Sequence, residues 1–267
     1  MPFTAKSGKF NASINTVEFG TGDKAVKIGG ENVFPLYSFD AAIENAPKVG
    51  IEITDFGMEH EPECIKKYYE GCATLADMAR KAASMEGVDF LSFRMEGGDP
   101  NGANKSTEEL IGELKEIADA VDLPLVVCGC KNVEKDAELF SKAAEALNGK
   151  NAVILSAKEE NYKTVGAAAG LAYKQIVGAE SAVDINLAKQ LNVLISQLGV
   201  DSKSVVMNVG SAAVGYGFEY VISTMDRVKA AALQQGDANL QMPIITPVAS
   251  EAWGVKEAMA SETDVPE

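Results

Sequence analysis

The feature that most restricts the fold of this chain is an alternation, beginning after Pro47, of short apolar runs with longer amphipathic runs. A strand that is apolar along its whole length is buried on both faces, which is typical of a parallel sheet covered by helices. The pattern therefore predicts an α/β fold with seven strand–helix units. The strand-like runs are VGIEI (49–53), VDFLSF (88–93), LPLVVCG (123–129), AVILSA (152–157), QIVGA (175–179), SVVMNVG (204–210) and MPIITPV (242–248).

Helical signals separate these runs. The segment STEELIGELKEIADAV begins with Ser106 and Glu109 at the spacing of a capping box. Apolar residues then recur at helical spacing along one face of the segment. The segment INLAKQLNVLISQLG repeats this design and ends at Gly199, a residue type favoured just after a helix.

Two architectures accommodate evenly sized strand–helix units, the doubly wound sheet and the TIM (β/α)8 barrel. A doubly wound sheet concentrates its functional loops at one switch point, whereas a barrel distributes them over all the loops that follow its strands. Polar or glycine-rich loops follow nearly every run here, so we predict a TIM barrel over residues 47–267. The tail AMASETDVPE has no strand pattern. We therefore expect the barrel to be C-terminally incomplete, with its eighth strand missing or supplied by another chain.

Residues 1–46 precede the barrel pattern. The segment INTVEFGTGDKAVKIGGENVFPL contains two β-rich runs around Gly-Thr-Gly-Asp. Such a pair of runs around a turn sequence predicts a β-hairpin. We therefore expect an N-terminal hairpin extension before the barrel domain.

Charge and cysteine usage exclude several classes of protein. A net charge of −15 argues against nucleic-acid binding. No run is long enough to span a bilayer and the N-terminus lacks a signal-peptide core, so we expect a cytoplasmic protein with no membrane partner. Reduced thiols are expected at Cys64, Cys72, Cys128 and Cys130. The C-x-C spacing of the last two fits no common zinc or iron–sulfur site, so they are predicted to be buried and metal-free.

Polar loops after the strand-like runs form the candidate functional surface, because in a barrel they converge on one rim. They read EGGDPNGAN, CGCKN, KEENY, ESAVDIN, GSAAVGYG and ASEAW. The single histidine, His60, lies in another loop among acids, and no glycine-rich phosphate motif follows a strand. This rim suits packing against something large and flat better than acid–base catalysis.

Amides and glycines dominate the rim. Gly97 and Gly98 lack a Cβ and so allow close approach of the backbone to a flat ligand. For Asp99, before Pro100, and Asp184, before a helix, we favour structural roles in a turn and a helix cap over catalysis. The candidate cofactor-binding residues are Gly97, Gly98, Asp99, Asn101, Asn104, Asn161, Asp184, Asn186, Gly210 and Ser211.

Six loop motifs together resemble a known family. EGGDPNGANKS, LPLVVCGCKNVEKD, KEENYK, DINLAKQLN, GYGFEY and SEAWGVKEA occur in this order. They are similar to the small subunit of the corrinoid/iron–sulfur protein, which is the delta subunit of the acetyl-CoA decarbonylase/synthase complex. The resemblance extends from about residue 50 to residue 257.

The resemblance implies a TIM barrel paired with a large subunit that carries an iron–sulfur cluster and a cobalamin-binding domain. In this family the cobalamin, a corrinoid at the subunit interface, moves a methyl group from methyl-tetrahydropterin, through a methyltransferase, to the nickel centre of acetyl-CoA synthase/CO dehydrogenase. This is the reductive acetyl-CoA pathway of anaerobes. The rim of the small subunit would face the corrinoid, with no catalytic residue and no iron–sulfur cluster on this chain.

Two other readings of the residues stay open. A pterin-dependent methyltransferase barrel uses the same rim, and Asp99, Asn101 and Asp184 are available to hold a pterin. A metabolic barrel enzyme with another substrate is the third possibility.

Overall fold

The sheet of this protein is parallel and its strands follow one another in chain order. A computed structural model describes residues 8–34, 43–260 and 263. The six-stranded sheet has the order β3-β4-β5-β6-β7-β8, with every neighbouring pair parallel. These strands are β3 (Gly50–Thr54), β4 (Phe90–Arg94), β5 (Leu125–Cys128), β6 (Val153–Ala157), β7 (Ile176–Glu180) and β8 (Val205–Asn208). The α/β class is confirmed, and these six strands show no reversal of strand order of the doubly wound kind.

Helices connect the strands as the sequence pattern predicts. They are α1 (Glu63–Tyr68), α2 (Leu75–Ala83), α3 (Thr107–Ala120), α4 (Val133–Ala146), α5 (Tyr162–Val165), α6 (Ile185–Gln197), α7 (Phe218–Gln234), α8 (Ala249–Ala252) and α9 (Lys256–Met259). Helix α5 continues as a π-helical segment, Gly166–Ala172. The Ser106 side chain accepts the Glu109 N–H at the start of α3, and Gly199 has a φ of +102° after α6. The two predicted helix ends are confirmed.

Each face of the sheet belongs to a different hydrophobic cluster. Side chains alternate between faces along a strand. On β5, Val127 packs with the helices, whereas Val126 and Cys128 belong to a second cluster on the opposite face. This second cluster contains the side chains of β5 to β8 that point away from the helices, and an N-terminal hairpin covers it.

The hairpin is formed by β1 (Val17–Phe19) and β2 (Val26–Ile28), paired antiparallel as predicted. Phe19 is fully buried and its ring meets that of Phe90 edge-on, with centroids 5.6 Å apart. Burying such side chains stabilises the fold by about 2 kcal/mol each. Residues 1–7 and 35–42 of the predicted extension lie outside the described residues, and its proposed boundary at residue 46 stays a prediction.

The prediction of a seventh strand at residues 242–248 is wrong, because these residues do not form a strand of the sheet. Residues 242–248 form a single parallel bridge, Met207 to Ile244, rather than a strand. Met207 N–H donates to Pro243 O at 2.8 Å and Ile245 N–H donates to Met207 O at 2.9 Å. Pro243 and Pro247 have no N–H to donate, which limits the ladder to this short contact.

A cavity of about 790 Å³ lies beside this bridge. Its walls come from β3 to β6, from residues 243–249, from α7, and from the N-terminal hairpin and the segment after it. Most of the lining is apolar, but Lys229 of α7 forms an ion pair there with Glu31. Their side chains are only 11% and 18% exposed, so the pair is largely shielded from solvent. It joins α7 to the segment that follows β1 and β2.

The Glu31–Lys229 pair generates a pH-dependent stability prediction. Burial lowers the pKa of Lys229 to about 8. In Glu31→Leu the unpaired lysine keeps a folded-state pKa below its unfolded value, so the unfolded state binds more protons between the two values. We expect the free energy of unfolding of Glu31→Leu at pH 7, measured by urea denaturation, to be about 3 kcal/mol lower than that of the wild type. The loss should shrink as pH rises from 7 through about 8 towards 9, because the lysine is then neutral in the folded state and needs no partner.

The double variant Glu31→Leu/Lys229→Met is the control, because it contains no buried charge at this position. Its stability should lie close to that of the wild type and should lack the added pH dependence. A single variant whose loss is the same at both ends of the pH range would contradict the assignment to an unpaired ammonium.

Candidate functional site

Polar side chains at the carboxyl ends of β4 to β8 converge on a pocket of about 150 Å³, here called the rim pocket. Three of them are almost completely buried, with Arg94 6%, Ser156 5% and Asn208 4% exposed. Parallel strands place their carboxyl ends at the same edge, which explains why residues far apart in sequence meet here. The lining residues are Arg94, Cys128, Gly129, Lys131, Asp136, Leu155, Ser156, Lys158, Glu180, Asn208, Gly210, Ser211, Pro247, Ser250 and Glu251.

Arg94 is held in place by Glu52 on the neighbouring strand. Its Nε lies 3.0 Å from Glu52 Oε1 and its Nη2 lies 2.9 Å from Oε2. This two-point contact fixes the plane of the guanidinium group. Among the described residues, no other hydrogen bond is made by the guanidinium, so its second amino group is available on the pocket side.

Asn208 organises the opposite wall of the rim pocket. Its Nδ2 donates to Ser156 Oγ at 2.9 Å and to Glu180 Oε2 at 3.4 Å. Its Oδ1 accepts the backbone N–H of Gly210 at 3.0 Å. Lys158 Nζ lies 3.3 Å from Glu180 Oε1, so the polar groups form one connected network.

A buried carboxylate shapes the loop after β5. Asp136 Oδ1 accepts the Cys130 N–H at 2.7 Å, and burial raises the pKa of Asp136. A Cβ on Gly129 would overlap this carboxylate, so only glycine fits beside it. The loop is therefore rigid where it borders the rim pocket.

Gly97 and Gly98, two predicted ligand contacts, are buried and packed against the chain itself. Gly97 N–H donates to Asp55 Oδ1 at 2.9 Å, and Lys105 Nζ lies 3.0 Å from Asp55 Oδ2. A Cβ on Gly97 would overlap Asp55, and one on Gly98 would lie 3.0 Å from Leu110 Cδ1. Internal packing is thus sufficient to account for both glycines, and their contact with a ligand stays a prediction.

The remaining candidates in the loop after β4 form a turn. Asp99 Oδ1 accepts the N–H and the Nδ2 of Asn101, at 2.9 and 3.2 Å. Asn104 adopts a φ of +50° and donates its N–H to Asp99 O at 3.1 Å. The structural role predicted for Asp99 is confirmed.

Two further candidates have local structural roles. Asp184 caps α6 by accepting the N–H groups of Asn186 and Leu187 at 2.8 and 3.1 Å, as predicted. Asn161 is 5% exposed and ties Lys158 N–H to Val133 O through its side chain. Asn186 is exposed. None of the three lines the rim pocket.

Gly210 and Ser211 are the two predicted residues that line the rim pocket. Sequence reasoning did not single out Arg94, which follows the run VDFLSF, Ser156, which lies inside AVILSA, or Glu180, which opens the loop ESAVDIN. A signal was present, since each is a polar residue at or next to the end of its strand. For Arg94 and Glu180 the period of two directs the side chain to the same face as the apolar residues before it. At Ser156 the strand register is irregular, so the alternation does not apply there.

Exposed apolar residues lie on the loops after β7 and β8, the second of which also supplies Gly210 and Ser211 to the rim pocket, and at the start of α7; we call them the apolar sector. Val214 is 82%, Tyr220 67% and Tyr216 60% exposed. Large exposed apolar side chains in one region mark interaction surfaces. The sector consists of Val183, Val214, Tyr216, Phe218 and Tyr220.

Metal-ligating and membrane-spanning features are absent from the described part of the chain. Across residues 8–34, 43–260 and 263, no three His, Cys, Asp or Glu side chains are grouped so that they could hold a metal ion. Within the same residues no helix has both the length and the apolar character needed to cross a bilayer.

Comparisons with known proteins give a consistent family. The family described as the CO dehydrogenase/acetyl-CoA synthase delta subunit matches residues 16–264. The chain is 32% identical over 251 residues to the acetyl-CoA decarbonylase/synthase complex subunit delta of Methanothermobacter thermautotrophicus, covering 93% of this chain and 63% of that protein. It is 33% identical over 240 residues to the Methanopyrus kandleri subunit delta, covering 89% and 59%. For the Archaeoglobus fulgidus subunit delta the identity is 30% over 253 residues, covering 93% and 55%.

The match covers only part of the length of each relative. It spans between 55% and 63% of the length of these three relatives. Regions of the relatives that lie outside the match therefore have no counterpart in the residues compared.

The cysteines provide a test of the site's packing. Burial raises the pKa of Cys128 to about 11 and that of Cys130 to about 12. At pH 8 only about one in a thousand Cys128 thiols is ionised, and the thiolate is the reactive form. With iodoacetamide at pH 8, we expect fast labelling of exposed Cys64 and half-buried Cys72, and labelling of Cys128 and Cys130 only after unfolding in urea. Peptide mass spectrometry assigns the sites, and rapid native labelling of Cys128 would show that the pocket wall opens.

Proposed function

The chain belongs to the family of CO dehydrogenase/acetyl-CoA synthase delta subunits, and we propose that it helps enclose a corrinoid that carries methyl groups within an acetyl-CoA decarbonylase/synthase complex. Its partners in this proposal are the large subunit of the corrinoid/iron–sulfur protein, the methyl-tetrahydropterin methyltransferase and the acetyl-CoA synthase/CO dehydrogenase component. The observation that carries the proposal is the rim itself, where the loop after β8 supplies both Gly210 and Ser211 to the buried polar pocket and Val214 and Tyr216 to the exposed apolar sector.

The rim offers little for acid–base or nucleophilic chemistry by the chain alone. The one histidine is exposed in the loop after β3. The two cysteines nearest the pocket have raised pKa values and so are protonated at neutral pH. Asp99 and Asp184 already accept hydrogen bonds from their own loops. Such a surface is suited to binding and orientation, with the chemistry supplied by a cofactor.

The residues present fit a corrinoid in their donor chemistry. A corrin is a flat macrocycle with apolar faces and a periphery of carboxamide groups. The apolar sector, with Tyr216 and Tyr220, provides surface for a ring, and the rim pocket provides hydrogen-bonding groups for the periphery. When bound, a corrinoid supplies a cobalt centre that accepts and releases a methyl group.

The chain's own contribution in this proposal is to bind, orient and exclude water. The hydrogen bonds of Arg94 and Asn208 hold the polar groups of the rim in fixed positions before any ligand arrives. Preorganised groups lose little entropy on binding. Side chains of the apolar sector would keep bulk water from the covered ring face.

A pterin-dependent methyltransferase barrel was the alternative suggested by Asp99, Asn101 and Asp184. In the structure these side chains serve a turn and a helix cap, and none of them lines the rim pocket. No observation favours this alternative over the corrinoid role.

For the fold, we propose that the six strands are the larger part of a TIM barrel. The support is the consecutive parallel order, the concentration of helices on one face and the bridge of Met207 to residues 243–245. The cavity between β3 and residues 243–249 has the place that a closing strand would take. A structure of the chain assembled with its partners should show a strand paired with β3 there, and an open β3 edge facing solvent would contradict the barrel.

The proposed function is tested by recording visible spectra of this chain alone and co-produced with the large subunit. We expect cobalamin absorption in the pair and none in the isolated chain. The variant Val214→Asp/Tyr220→Asp should weaken cobalamin retention or assembly by about tenfold, because two apolar contacts are replaced by charges. Thermal melting should be unchanged, since both side chains are exposed.

Met85→Asp is the matched control. Met85 is also exposed, at 40%, but follows α2 at the other end of the sheet from the rim. It should retain cobalamin like the wild type. Cobalamin bound equally well by the large subunit without this chain would reject the proposal, and methyl transfer to free cobalamin by this chain alone would favour the methyltransferase alternative.

A further inference from the structure

We propose that the rim pocket is a subsite for a neutral carboxamide group, namely one carboxamide side arm of the corrinoid. This inference rests on the proposed function and adds to it the chemical group that the pocket selects. It is argued from the size of the pocket, the balance of its charges and the hydrogen-bonding groups that its own network leaves unused.

The size of the pocket suits a short side arm. A volume of about 150 Å³ equals the space of roughly five water molecules in the liquid. This admits a few non-hydrogen atoms and excludes a macrocycle. The pocket is open on the rim side and has buried side chains at its base, so a group must enter end-on from a ligand that remains outside.

The charges of the pocket are balanced, and all but that of Asp136, which accepts hydrogen bonds from Cys130, are in ion pairs. Its lining contains three cations and three anions, which are Arg94, Lys131 and Lys158 against Asp136, Glu180 and Glu251. Lys131 lies 2.7 Å from Glu251 and Lys158 lies 3.3 Å from Glu180, while Arg94 is bound to Glu52. An entering ion of either sign would lie beside the half-buried Lys158–Glu180 pair and would be repelled by one of its members. A neutral, strongly dipolar group avoids that repulsion.

Both a donor and an acceptor are available to such a group. The second amino group of Arg94 is unused, and Ser156 Oγ accepts from Asn208, which leaves the Ser156 hydroxyl hydrogen free to donate. The Glu180 carboxylate has further lone pairs beyond its contacts with Lys158 and Asn208. A primary carboxamide presents one C=O acceptor and one NH₂ donor, and so matches this set. A carboxylate of the same shape would lack the donor for Glu180 and would be repelled by it.

The test uses the assembled pair and chemically modified cobalamins. Mild hydrolysis of cobalamin gives separable monocarboxylates, each with a different carboxamide converted to a carboxylate. Dissociation constants are measured from visible spectra for cobalamin and each isomer. We expect wild type to bind one isomer about tenfold more weakly than cobalamin, because that arm loses its match in the pocket.

Glu180→Gln should reduce this discrimination to about twofold for the same isomer, since a glutamine can donate to the carboxylate where Glu180 repels it. Glu159→Gln is the matched control, because Glu159 is exposed in the loop after β6 and does not line the pocket. It should discriminate like the wild type. Melting temperatures of both variants establish that the fold is retained.

Each outcome has a distinct meaning. Equal binding of all isomers by wild type, or unchanged discrimination in Glu180→Gln, would overturn the carboxamide subsite while leaving the proposed function in place. Cobalamin binding that does not depend on this chain at all would reject the proposed function and the subsite with it. Tetrahydrofolate, which also carries a ring amide, is tested in parallel, and its tight binding to the isolated chain with loss in Glu180→Gln would overturn the assignment to a corrinoid arm.

Discussion

Parallel pairing of six consecutive strands is the constraint on which the rest of the structure depends. It places the carboxyl end of each strand at one edge, so Arg94 and Asn208 line the same pocket although 114 positions separate them in the sequence. The period-two alternation then divides the side chains between a helix-packed face and a hairpin-covered face. The rim pocket lies where this second face reaches the carboxyl edge, and there the inward side chains change from apolar to polar.

Buried polar groups of this kind seldom increase stability. The Arg94 and Glu52 side chains are 7% and 11% exposed, and desolvating such a pair commonly offsets its Coulombic gain. Apolar residues of similar volume would serve the fold as well. Retaining two buried polar groups here, the Arg94–Glu52 pair and the network of Asn208, Ser156 and Glu180, is therefore better explained by recognition than by folding. The apolar sector beside it would contribute affinity through contact area, and the pocket would contribute orientation.

The elements that could be predicted from the sequence are those that depend on residues close together in the chain. Six of seven strands, the hairpin, the cap at Ser106 and the C-terminal Gly199 all depend on neighbouring residues, and the structure agrees with them. Residues 242–248 failed as a strand because apolar periodicity does not register the missing N–H groups of their prolines.

The candidate site was less predictable because its geometry is long-range. Arg94 and Glu52 are 42 positions apart, and their pairing follows from strand register, which no local pattern contains. Gly97 and Gly98 were correctly singled out as special, yet the close contacts that require glycine come from Asp55 and Leu110 of the same chain. The pocket also includes the last residues of the strands themselves, such as Arg94 and Asn208, and not only residues of the loops that follow them.

A structure of the assembled pair with bound cobalamin, determined by cryo-electron microscopy, tests the central claim most directly. The account predicts that the corrin lies over the rim and that one carboxamide arm enters the rim pocket, within hydrogen-bonding distance of Arg94 or Ser156. A corrin bound away from this edge of the sheet, or a rim pocket occupied only by water in the complex, would contradict it.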